Sequence, residues 1–372
     1  MTTTSDHDAF AFTDDLGPAK IVHVTERRTG LRGIVVVDNV AAGPAIGGLR
    51  FDPGVTTGVC FRLARAMTLK NAMAGLRHGG AKSGIVGDPH RPAAEKEQVI
   101  RAFASAIADL TDYIPGPDMG TNESTMAMVL DEIGRAIGLP AELGGLPLDE
   151  LGATALGLDV AIEIGARHIG LDLDGARVVV QGYGNVGRPV ARLLASRGCV
   201  LVATADSRGA VSDPAGLDLD ALDELKATGR SVADHPATTL ERDAVIDVPC
   251  DIWIPAAGPD VLRADNVDRL QARMVPQGAN IPATAEAEVR LHQRGVLVLP
   301  DFVANAGGVI CGAVEYANGS WDQAADQIES RVSLNTEAVL ERVAAEGCRP
   351  REAALAIART RVEAAMAVRR WT

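Results

Sequence analysis

The chain has 372 residues, 47% of them hydrophobic and 23% charged, with a formal net charge of −13. These proportions are ordinary for a globular protein, and the length allows two domains. The acidic balance argues against a nucleic-acid partner, which requires a basic face. The sequence has no apolar run of membrane-spanning length, so we expect no membrane partner.

The cysteines and the N-terminal segment indicate a reducing compartment. Five cysteines are widely spaced, and none belongs to a Cys-x-x-Cys pair, which is typical of free thiols. Residues 1–15 lack the apolar stretch of a signal peptide, so a cytoplasmic location is expected. The seven histidines and five cysteines show no metal-ligand spacing, so no metal is predicted.

The first half of the chain is predicted to be a hairpin followed by helices and loops. Apolar runs at 21–24 and 33–37, separated by a Thr29-Gly30 turn, are typical of two paired strands. Beyond them, apolar periodicity predicts helices, and clusters of glycine and proline predict loops. The predicted helices cover about 58–74, 93–110 and 124–138, and the predicted loops cover 43–54, 79–82 and 113–120.

The second half alternates strands with helices. The Gly/Pro-rich stretch 138–152 indicates a domain boundary, and a helix over about 153–169 follows it. The alternation that continues to about 310 predicts a doubly wound parallel sheet, and 322–368 is predicted to be helical. The predicted strands are 177–180, 200–205, 251–255, 273–277 and 296–299.

Lysine is rare in this chain, and two lysines lie in one unusual segment. Only five of the 36 basic residues are lysines, yet Lys70 and Lys82 both fall within 67–84. Lysine can be tuned toward its neutral form by burial, whereas arginine cannot. Because Lys82 directly follows Gly79-Gly80-Ala81, we interpret it as a chemical group; the alternative is a pair of ordinary surface lysines.

A glycine fingerprint indicates a dinucleotide site. Gly182, Gly184 and Gly187 follow a predicted strand and open a helix, and Asp206 ends the next strand. The glycines permit a tight turn and close approach to a pyrophosphate at the helix N-terminus. An acid at the position of Asp206 binds the adenosine ribose and favours NAD over NADP, although Arg208 weakens that preference. The alternative is a Gly-rich turn that binds nothing.

Several further motifs occur in a fixed order around this fingerprint. They are Gly47-Gly48-Leu49-Arg50, Met67-Thr68-Leu69-Lys70-Asn71, Gly79-Gly80-Ala81-Lys82, Pro117-Asp118-Met119-Gly120-Thr121 and Asn305-Ala306-Gly307-Gly308. Over about residues 20–320 the chain resembles the glutamate/leucine/phenylalanine/valine dehydrogenase family.

The resemblance implies an α/β protein with a substrate domain, a Rossmann domain and C-terminal helices that pack back on the first domain. The implied limits are 1–146, 147–320 and 321–372. The reaction would be reversible NAD(P)-dependent oxidative deamination of an L-amino acid, with the substrate in the cleft between the domains. NAD is the expected cofactor with NADP as the alternative, and a homo-oligomer is expected.

The resemblance also implies roles for individual residues. Lys70 would pair with the substrate α-carboxylate, helped by backbone donors near Gly48. Lys82 would be the catalytic amine, and its pKa should fall because of Lys70 and partial burial. Asp118 would exchange a proton with the substrate amine; its alternative role is to cap the following helix.

Two further sets of residues follow from the resemblance. Asn280 and Asn305 would lie near the nicotinamide and the substrate; the alternative is that both are turn residues. The implied substrate-binding residues are Lys70, Ile46, Gly48, Gly312, Val309 and Asn305. The implied cofactor-binding residues are Gly182, Gly184, Asn185, Val186, Gly187, Asp206, Ala256, Asn280 and Thr154.

The substrate is predicted from two departures from the glutamate branch. In that branch a lysine and a serine hold the side-chain carboxylate, and Ile46 and Gly312 stand at their positions. A buried carboxylate without a partner costs several kcal/mol, so we predict an apolar amino acid. The segment 113–123 resembles the glutamate branch, which keeps glutamate dehydrogenase as the alternative. A catalytically silent nucleotide-binding protein is an alternative of another class.

Overall fold

A computed structural model of the protein describes residues 10–148 and 150–369. The chain forms two compact units. Unit 1 takes the described residues up to Pro147, Gly312–Ser320 and those from Ala358 on, while unit 2 takes Leu148–Cys311 and Trp321–Ile357. In the part of the chain that the structure describes, no helix is both long and apolar enough to cross a membrane.

Unit 1 is built on a five-stranded mixed sheet of order β1-β2-β4-β3-β5. Its strands are β1 (Lys20–Glu26), β2 (Leu31–Asn39), β3 (Ala45–Phe51), β4 (Gly79–Ile85) and β5 (Tyr113–Pro117), its helices are α1 (Thr57–Met73), α2 (Ala93–Ala106) and α3 (Glu123–Ile133), and Ala141–Leu143 is a 3₁₀ turn. The predicted hairpin is confirmed, since β1 and β2 pair antiparallel. Helix α3 ends earlier than predicted because Gly134 takes a left-handed conformation with φ 70°.

Strand β2 of unit 1 is apolar on both faces because helices cover both. Val35 and Val37 of β2 pack with Phe103 of α2 in one cluster. Their neighbours Ile34 and Val36 face the opposite side and belong to a second cluster, formed with residues of α1. Successive side chains of a strand point to opposite faces, so a continuous apolar run is what such a buried strand requires.

The prediction of loops at 43–54, 79–82 and 113–120 is wrong for most of these residues, because they form β3, β4 and β5. Glycine and proline usually mark turns, and that signal caused the error. Here the glycines permit close packing within the sheet. A Cβ added to Gly80 would lie 2.0 Å from the backbone nitrogen of Thr68 in α1, and one on Gly47 would lie 1.7 Å from the Ala81 carbonyl oxygen. Lys82 is therefore held on a buried strand.

Unit 2 is built on a seven-stranded sheet of order β12-β11-β10-β6-β7-β8-β9. Its strands are β6 (Arg177–Gln181), β7 (Val200–Ala205), β8 (Ala210–Ser212), β9 (Thr238–Leu240), β10 (Ile252–Pro255), β11 (Met274–Pro276) and β12 (Leu297–Leu299). The remaining helices of the chain are α4 (Ala153–His168), α5 (Gly187–Ser196), α6 (Leu219–Ala227), α7 (Ala285–Gln293), α8 (Asp301–Ala304), α9 (Gly307–Tyr316), α10 (Trp321–Glu346) and α11 (Pro350–Val368), and 3₁₀ turns cover Val232–Asp234, Arg242–Asp247 and Val267–Arg269.

The sheet of unit 2 confirms the predicted parallel α/β architecture. The strands from β12 through β10 and β6 to β7 are parallel, and β8 and β9 extend the sheet antiparallel. All five predicted strands are present within one residue at each end. Helix α7 packs against one face through Ala287 and Leu291. Helix α4 packs against the other closely enough that a Cβ on Gly165 would lie 2.7 Å from the Met274 sulfur.

The end of α11 belongs to unit 1. There Arg361 donates hydrogen bonds to the carbonyl oxygens of Ala72 and Met73 at the end of α1, at 3.1 and 2.6 Å. Carbonyls at a helix C-terminus have no partner within the helix, and a cation suits that end of its dipole. Of the C-terminal helices, only the end of α11 thus packs on the first unit, whereas α10 belongs to unit 2.

Candidate active site

Lys82 and Asp118 form an ion pair at the carboxyl-terminal region of β5. The Nζ of Lys82 lies 2.8 Å from Oδ2 of Asp118, and the lysine side chain is only 9% exposed. Arg50, near the end of β3, donates from Nε to the same carboxylate oxygen at 2.9 Å. Because β3 lies between β4 and β5, the three charged side chains come from β3, β4 and the residue that directly follows β5.

The surroundings shift the pKa of both members of this pair downward. Burial is the main cause for Lys82, and the Arg50 cation lowers its pKa further, while the charge of Asp118 opposes the shift. For Asp118, burial acts to raise the pKa, but Lys82 and Arg50 together outweigh it and lower the pKa. The predicted fall in the pKa of Lys82 therefore arises from burial and Arg50, whereas the sequence pointed to burial and Lys70.

Gly48 lies against both catalytic candidates. A Cβ at this position would lie 2.8 Å from Cβ of Asp118 and 3.1 Å from Nζ of Lys82. Any side chain at residue 48 would therefore displace the pair. Lys70 lies half-buried in the last turn of α1.

Hydroxyl groups form hydrogen bonds with the backbone next to Lys82 and Asp118. The hydroxyl of Tyr113 donates to the Gly47 carbonyl at 3.0 Å and shares a hydrogen bond with Ser83 at 2.6 Å. Thr121 accepts from the backbone N–H of Asp118 and contacts the Leu49 carbonyl. Sequence reasoning gave none of these residues a role, nor Arg50. Arg50 and Thr121 do stand within the quoted motifs, so a search for further charged or hydroxyl residues there could have found them.

Ile46 and Gly312 lie next to the same side chain. Ile46 is buried in a cluster with Ile114 and Ile137, against which Ala313 packs. A Cβ on Gly312 would lie 2.9 Å from Cδ1 of Ile137. The two positions that the sequence predicted to share a side-chain pocket are thus both in the neighbourhood of Ile137. Val309, the third predicted pocket residue, is half-buried one turn before Gly312 on α9.

The glycine fingerprint opens a groove in unit 2. A Cβ on Gly182 would lie 2.7 Å from the backbone nitrogen of Ala257, and one on Gly187 would lie 1.9 Å from the Gly182 carbonyl oxygen. A Cβ on Gly184 would meet nothing within 4 Å. The first and third glycines are thus needed for packing, whereas the space at the second suits the approach of a pyrophosphate. These residues fit a dinucleotide.

The groove has a volume of about 690 Å³. Of the predicted cofactor-binding residues, those that line it are Gly182, Gly184, Asn185, Val186, Asp206 and Ala256. The Oε1 of Gln181 and Nε1 of Trp253 are buried without a hydrogen-bond partner among the described residues, and both side chains belong to residues that line the groove. A buried polar atom is costly to leave unpaired, so these atoms suit a polar ligand.

Asp206 already accepts hydrogen bonds on both oxygens. Its Oδ1 accepts from the Arg208 N–H at 2.9 Å and the Ser231 hydroxyl at 2.8 Å. Its Oδ2 accepts from Nζ of Lys226 at 3.0 Å and the Val232 N–H at 3.1 Å. Burial acts to raise the pKa of Asp206, but these donors lower it to about 2. The carboxylate that the sequence assigned to the adenosine ribose is therefore an ion engaged by the protein itself.

Asn280 and Asn305 lie together. The Nδ2 of Asn305 donates to Oδ1 of Asn280 at 3.0 Å and to the Gly278 carbonyl at 3.2 Å. Thr154, in the first turn of α4, faces Gly308, since a Cβ added there would lie 3.2 Å from its Oγ1. Asn305 thus holds the segment of Asn280 through its side-chain amide.

Arg351 of α11 holds the segment that carries Asn280. Its Nη2 donates to Oε1 of Gln277 and Oδ1 of Asp301, each at 2.8 Å. Its Nε donates to both oxygens of Glu288, at 2.9 and 2.8 Å. The other oxygen of Asp301 accepts the N–H of Ile281, which is held at φ 50°, an unfavourable conformation for a β-branched residue.

This network was missed by sequence reasoning. Arg351 is 63 residues from Glu288 and 50 from Asp301 along the chain, and no local motif marks it. Within residues 10–148 and 150–369, no group of three or more His, Cys, Asp or Glu side chains is arranged to hold a metal ion.

Comparison with known proteins assigns the chain to a family. Residues 144–370 match the family described as glutamate/leucine/phenylalanine/valine dehydrogenase. Residues 18–135 match its dimerisation domain. The chain belongs to this family. The family and fold that the sequence predicted are confirmed, and the protein is an NAD(P)-dependent amino-acid dehydrogenase.

Individual relatives agree with this assignment. The chain is 37% identical over 360 residues to a glutamate dehydrogenase of Aeropyrum pernix, covering 90% of this chain and 85% of that protein. It is 37% identical over 367 residues to an NADP(+)-dependent glutamate dehydrogenase of Pyrobaculum calidifontis, covering 91% and 86%. The hetero-hexameric glutamate dehydrogenase of Thermus thermophilus, in its leucine-bound form, superimposes with a TM-score of 0.83 at 34% identity, covering 94% and 89%.

We expect Arg351→Met to lower the free energy of unfolding by about 3–5 kcal/mol, because it leaves two buried carboxylates without their cation. Glu288 and Asp301 are 5% and 7% exposed. Arg349→Met is the matched control, since Arg349 pairs with the half-exposed Glu352, and it should cost less than about 1 kcal/mol. Urea unfolding of both variants measures the difference, and equal losses would contradict a special role for Arg351.

Proposed function

We propose that the chain converts an L-amino acid to a 2-oxo acid and ammonium at the Lys82–Asp118 pair, and catalyses the reverse reaction as well. The single observation that carries the proposal is the buried contact of 2.8 Å between an amine and a carboxylate. Two titratable groups whose surroundings shift their pKa values are typical of acid–base chemistry. Gly48 next to them leaves room for a substrate.

Each residue has a defined task in this proposal. Lys70 binds the α-carboxylate, and Asp118 takes a proton from the substrate ammonium so that its nitrogen lone pair becomes available. A dinucleotide held by Gly182 and Gly184 would supply the acceptor for the hydride of the α-carbon. Neutral Lys82 then takes a proton from water as the water attacks the iminium carbon, and ammonium leaves. One amino acid, one oxidised dinucleotide and one water yield the 2-oxo acid, ammonium, the reduced dinucleotide and one proton.

L-Glutamate is the first candidate substrate. The relatives from Aeropyrum pernix and Pyrobaculum calidifontis are named glutamate dehydrogenases and align over about nine-tenths of this chain. The segment 113–123, which contains Asp118, also resembles the glutamate branch. These observations favour glutamate over the apolar substrate that the sequence predicted.

An apolar amino acid is the second candidate, and the surroundings of Ile46 favour it. Ile46 packs with Ile114 and Ile137, and Gly312 adds no polar group beside them. If the substrate side chain lies here, an ionised carboxylate would be desolvated without compensation at a cost of several kcal/mol. A loss of about 3 kcal/mol already lowers kcat/KM more than a hundredfold.

We also propose a homo-oligomer, because the family domain matched by residues 18–135 is a dimerisation domain. The proposed compartment is the cytoplasm, as the cysteine pattern predicted.

A substrate panel tests the proposed function. We expect purified protein to reduce a dinucleotide with L-glutamate faster than with L-leucine, L-valine or L-phenylalanine, and ammonium to be required in the reverse direction. Lys82→Ala should lower kcat by about a hundredfold or more, since the proton acceptor is lost, without loss of dinucleotide binding. Turnover of apolar substrates alone would replace the first candidate with the second. No turnover of any amino acid with either dinucleotide would overturn the proposal.

A charge at residue 46 tests which side chain faces the substrate. We expect Ile46→Lys to raise kcat/KM for glutamate relative to leucine by about a hundredfold, because an ammonium group compensates the buried carboxylate. Ile46→Met keeps the pocket apolar at similar volume and serves as the control. If the ratio of glutamate to leucine turnover does not rise in the lysine variant, residue 46 does not face the substrate side chain.

The pH dependence tests the role of Arg50. Activity in the oxidative direction requires neutral Lys82, so kcat/KM should fall as the pH drops through the pKa of that lysine. Arg50 lowers this pKa, and its removal in Arg50→Met should raise it. The acidic limb of the pH profile should therefore move to higher pH. Arg91→Met, which removes a cation stacked on Phe51, is the control, and a limb that stays in place or moves to lower pH would refute the assignment.

A further inference from the structure

Tyr183 stands inside the glycine fingerprint, and its hydroxyl group has a partner outside it. The residue lies between Gly182 and Gly184 and is almost completely buried, although it lines the groove of unit 2. The backbone N–H groups of Gly182 and Tyr183 both donate to the Ala205 carbonyl, at 3.0 and 2.9 Å. The Tyr183 hydroxyl donates to Oδ1 of Asp223 on α6 at 3.0 Å. The start of the loop is therefore held on two sides, by the end of β7 and by a helix.

Asp223 also holds the helix that begins at the fingerprint. Helix α5 starts at Gly187, and two of its residues, Arg188 and Arg192, pair with this carboxylate. The Nε of Arg188 lies 2.9 Å from Oδ1, and Nη2 of Arg192 lies 2.7 Å from Oδ2. The Asp223 side chain is 16% exposed, so one largely buried carboxylate joins the loop to both α5 and α6.

A loop of this composition needs such an anchor if it is to bind a phosphate group tightly. Gly182 and Gly184 have no side chains that could fix the backbone, and Gly182 is held at φ 108°. When a ligand has to order a glycine-rich segment, the lost conformational entropy weakens binding. Tyr183 is the residue between the two glycines, so the contact of its hydroxyl group restrains both neighbours before any ligand arrives.

We propose that Tyr183 and Asp223 are positioning residues that hold the fingerprint loop ready for a pyrophosphate. They act through the backbone of the loop, because the Tyr183 hydroxyl is directed to α6. The same helix contacts Asp206 through Nζ of Lys226 at 3.0 Å, so α6 supports the groove at two points. The inference rests on the proposed dinucleotide site of unit 2, and it is independent of which amino acid is oxidised.

Binding of ADP-ribose, which carries the pyrophosphate but no nicotinamide, tests this role without turnover. We expect Tyr183→Phe to raise the dissociation constant of ADP-ribose about tenfold in isothermal titration calorimetry, the factor of one hydrogen bond to a charged group. In turnover assays the KM for the dinucleotide should rise by a similar factor, while kcat stays within about twofold. Tyr316→Phe is the matched control, because it removes a tyrosine hydroxyl from unit 1.

A double-mutant cycle tests the carboxylate. Asp223→Ala removes the acceptor, so in that background Tyr183→Phe should change the dissociation constant of ADP-ribose by less than about twofold. Asp223→Asn keeps an acceptor for the hydroxyl, and in that background Tyr183→Phe should still weaken binding. The cycle separates the hydroxyl contact from the change of charge next to Arg188 and Arg192.

Several outcomes would contradict the proposal. Unchanged binding of ADP-ribose by Tyr183→Phe, together with a lower free energy of unfolding in urea, would mean that the contact only stabilises the fold. Equal effects of Tyr183→Phe with and without Asp223 would remove Asp223 from the proposal. If Tyr183→Phe does not fold, Asp223→Asn should bind ADP-ribose more tightly than Asp223→Ala, and equal dissociation constants would refute the role.

The positioning role and the proposed function fail in different ways. Turnover of an amino acid with an unchanged KM for the dinucleotide in Tyr183→Phe would overturn the positioning role and leave the proposed function intact. Wild-type protein that binds ADP-ribose but oxidises no amino acid would overturn the proposed function, and the cycle would still decide the role of Tyr183. Failure of the wild-type protein to bind ADP-ribose would overturn the site on which the positioning role depends.

Discussion

The contact between Lys82 and Asp118 can form only if three strands meet without intervening side chains. Lys82 is on β4 and Asp118 follows β5, while β3 passes between them. Residue 48 of β3 is a glycine, and any side chain there would occupy the space in which the ion pair forms. Closing this space from water is also what lowers the pKa of the lysine. The ion pair and the packing around it therefore depend on the same glycine.

The two units position their functional groups in similar ways. In unit 1, buried hydroxyl groups of Tyr113 and Ser83 fix the strands beneath the pair. In unit 2, Arg351 fixes the segment of Asn280 through Gln277 and Asp301. In both cases a buried polar network holds backbone that would otherwise be free to move. Such networks explain how glycine-rich segments, which gain the most entropy on unfolding, can remain ordered around a site.

The groove of unit 2 shows that the tertiary contacts of a motif residue matter as much as its place in the motif. An acid after the second strand of a fingerprint favours NAD when it is available to the ribose. Asp206 is held by four donors, and one of them is an ammonium group. The motif identifies the acid alone. The electrostatic potential at the site is set by the acid together with the groups that donate hydrogen bonds to it.

The sequence by itself determined the family, the two-domain α/β architecture and the strands of unit 2, because these depend on local periodicity and on short motifs. It also singled out the motifs that contain Lys82 and Asp118, which the fold brings into contact. It did not determine that residues 79–82 lie in a strand, because a glycine-rich strand in the centre of a sheet has the same amino-acid composition as a loop. Nor could it show the contacts of Arg50, Lys226 and Arg351. Their partners are many residues away along the chain, and only the folded sheet brings them within hydrogen-bond distance.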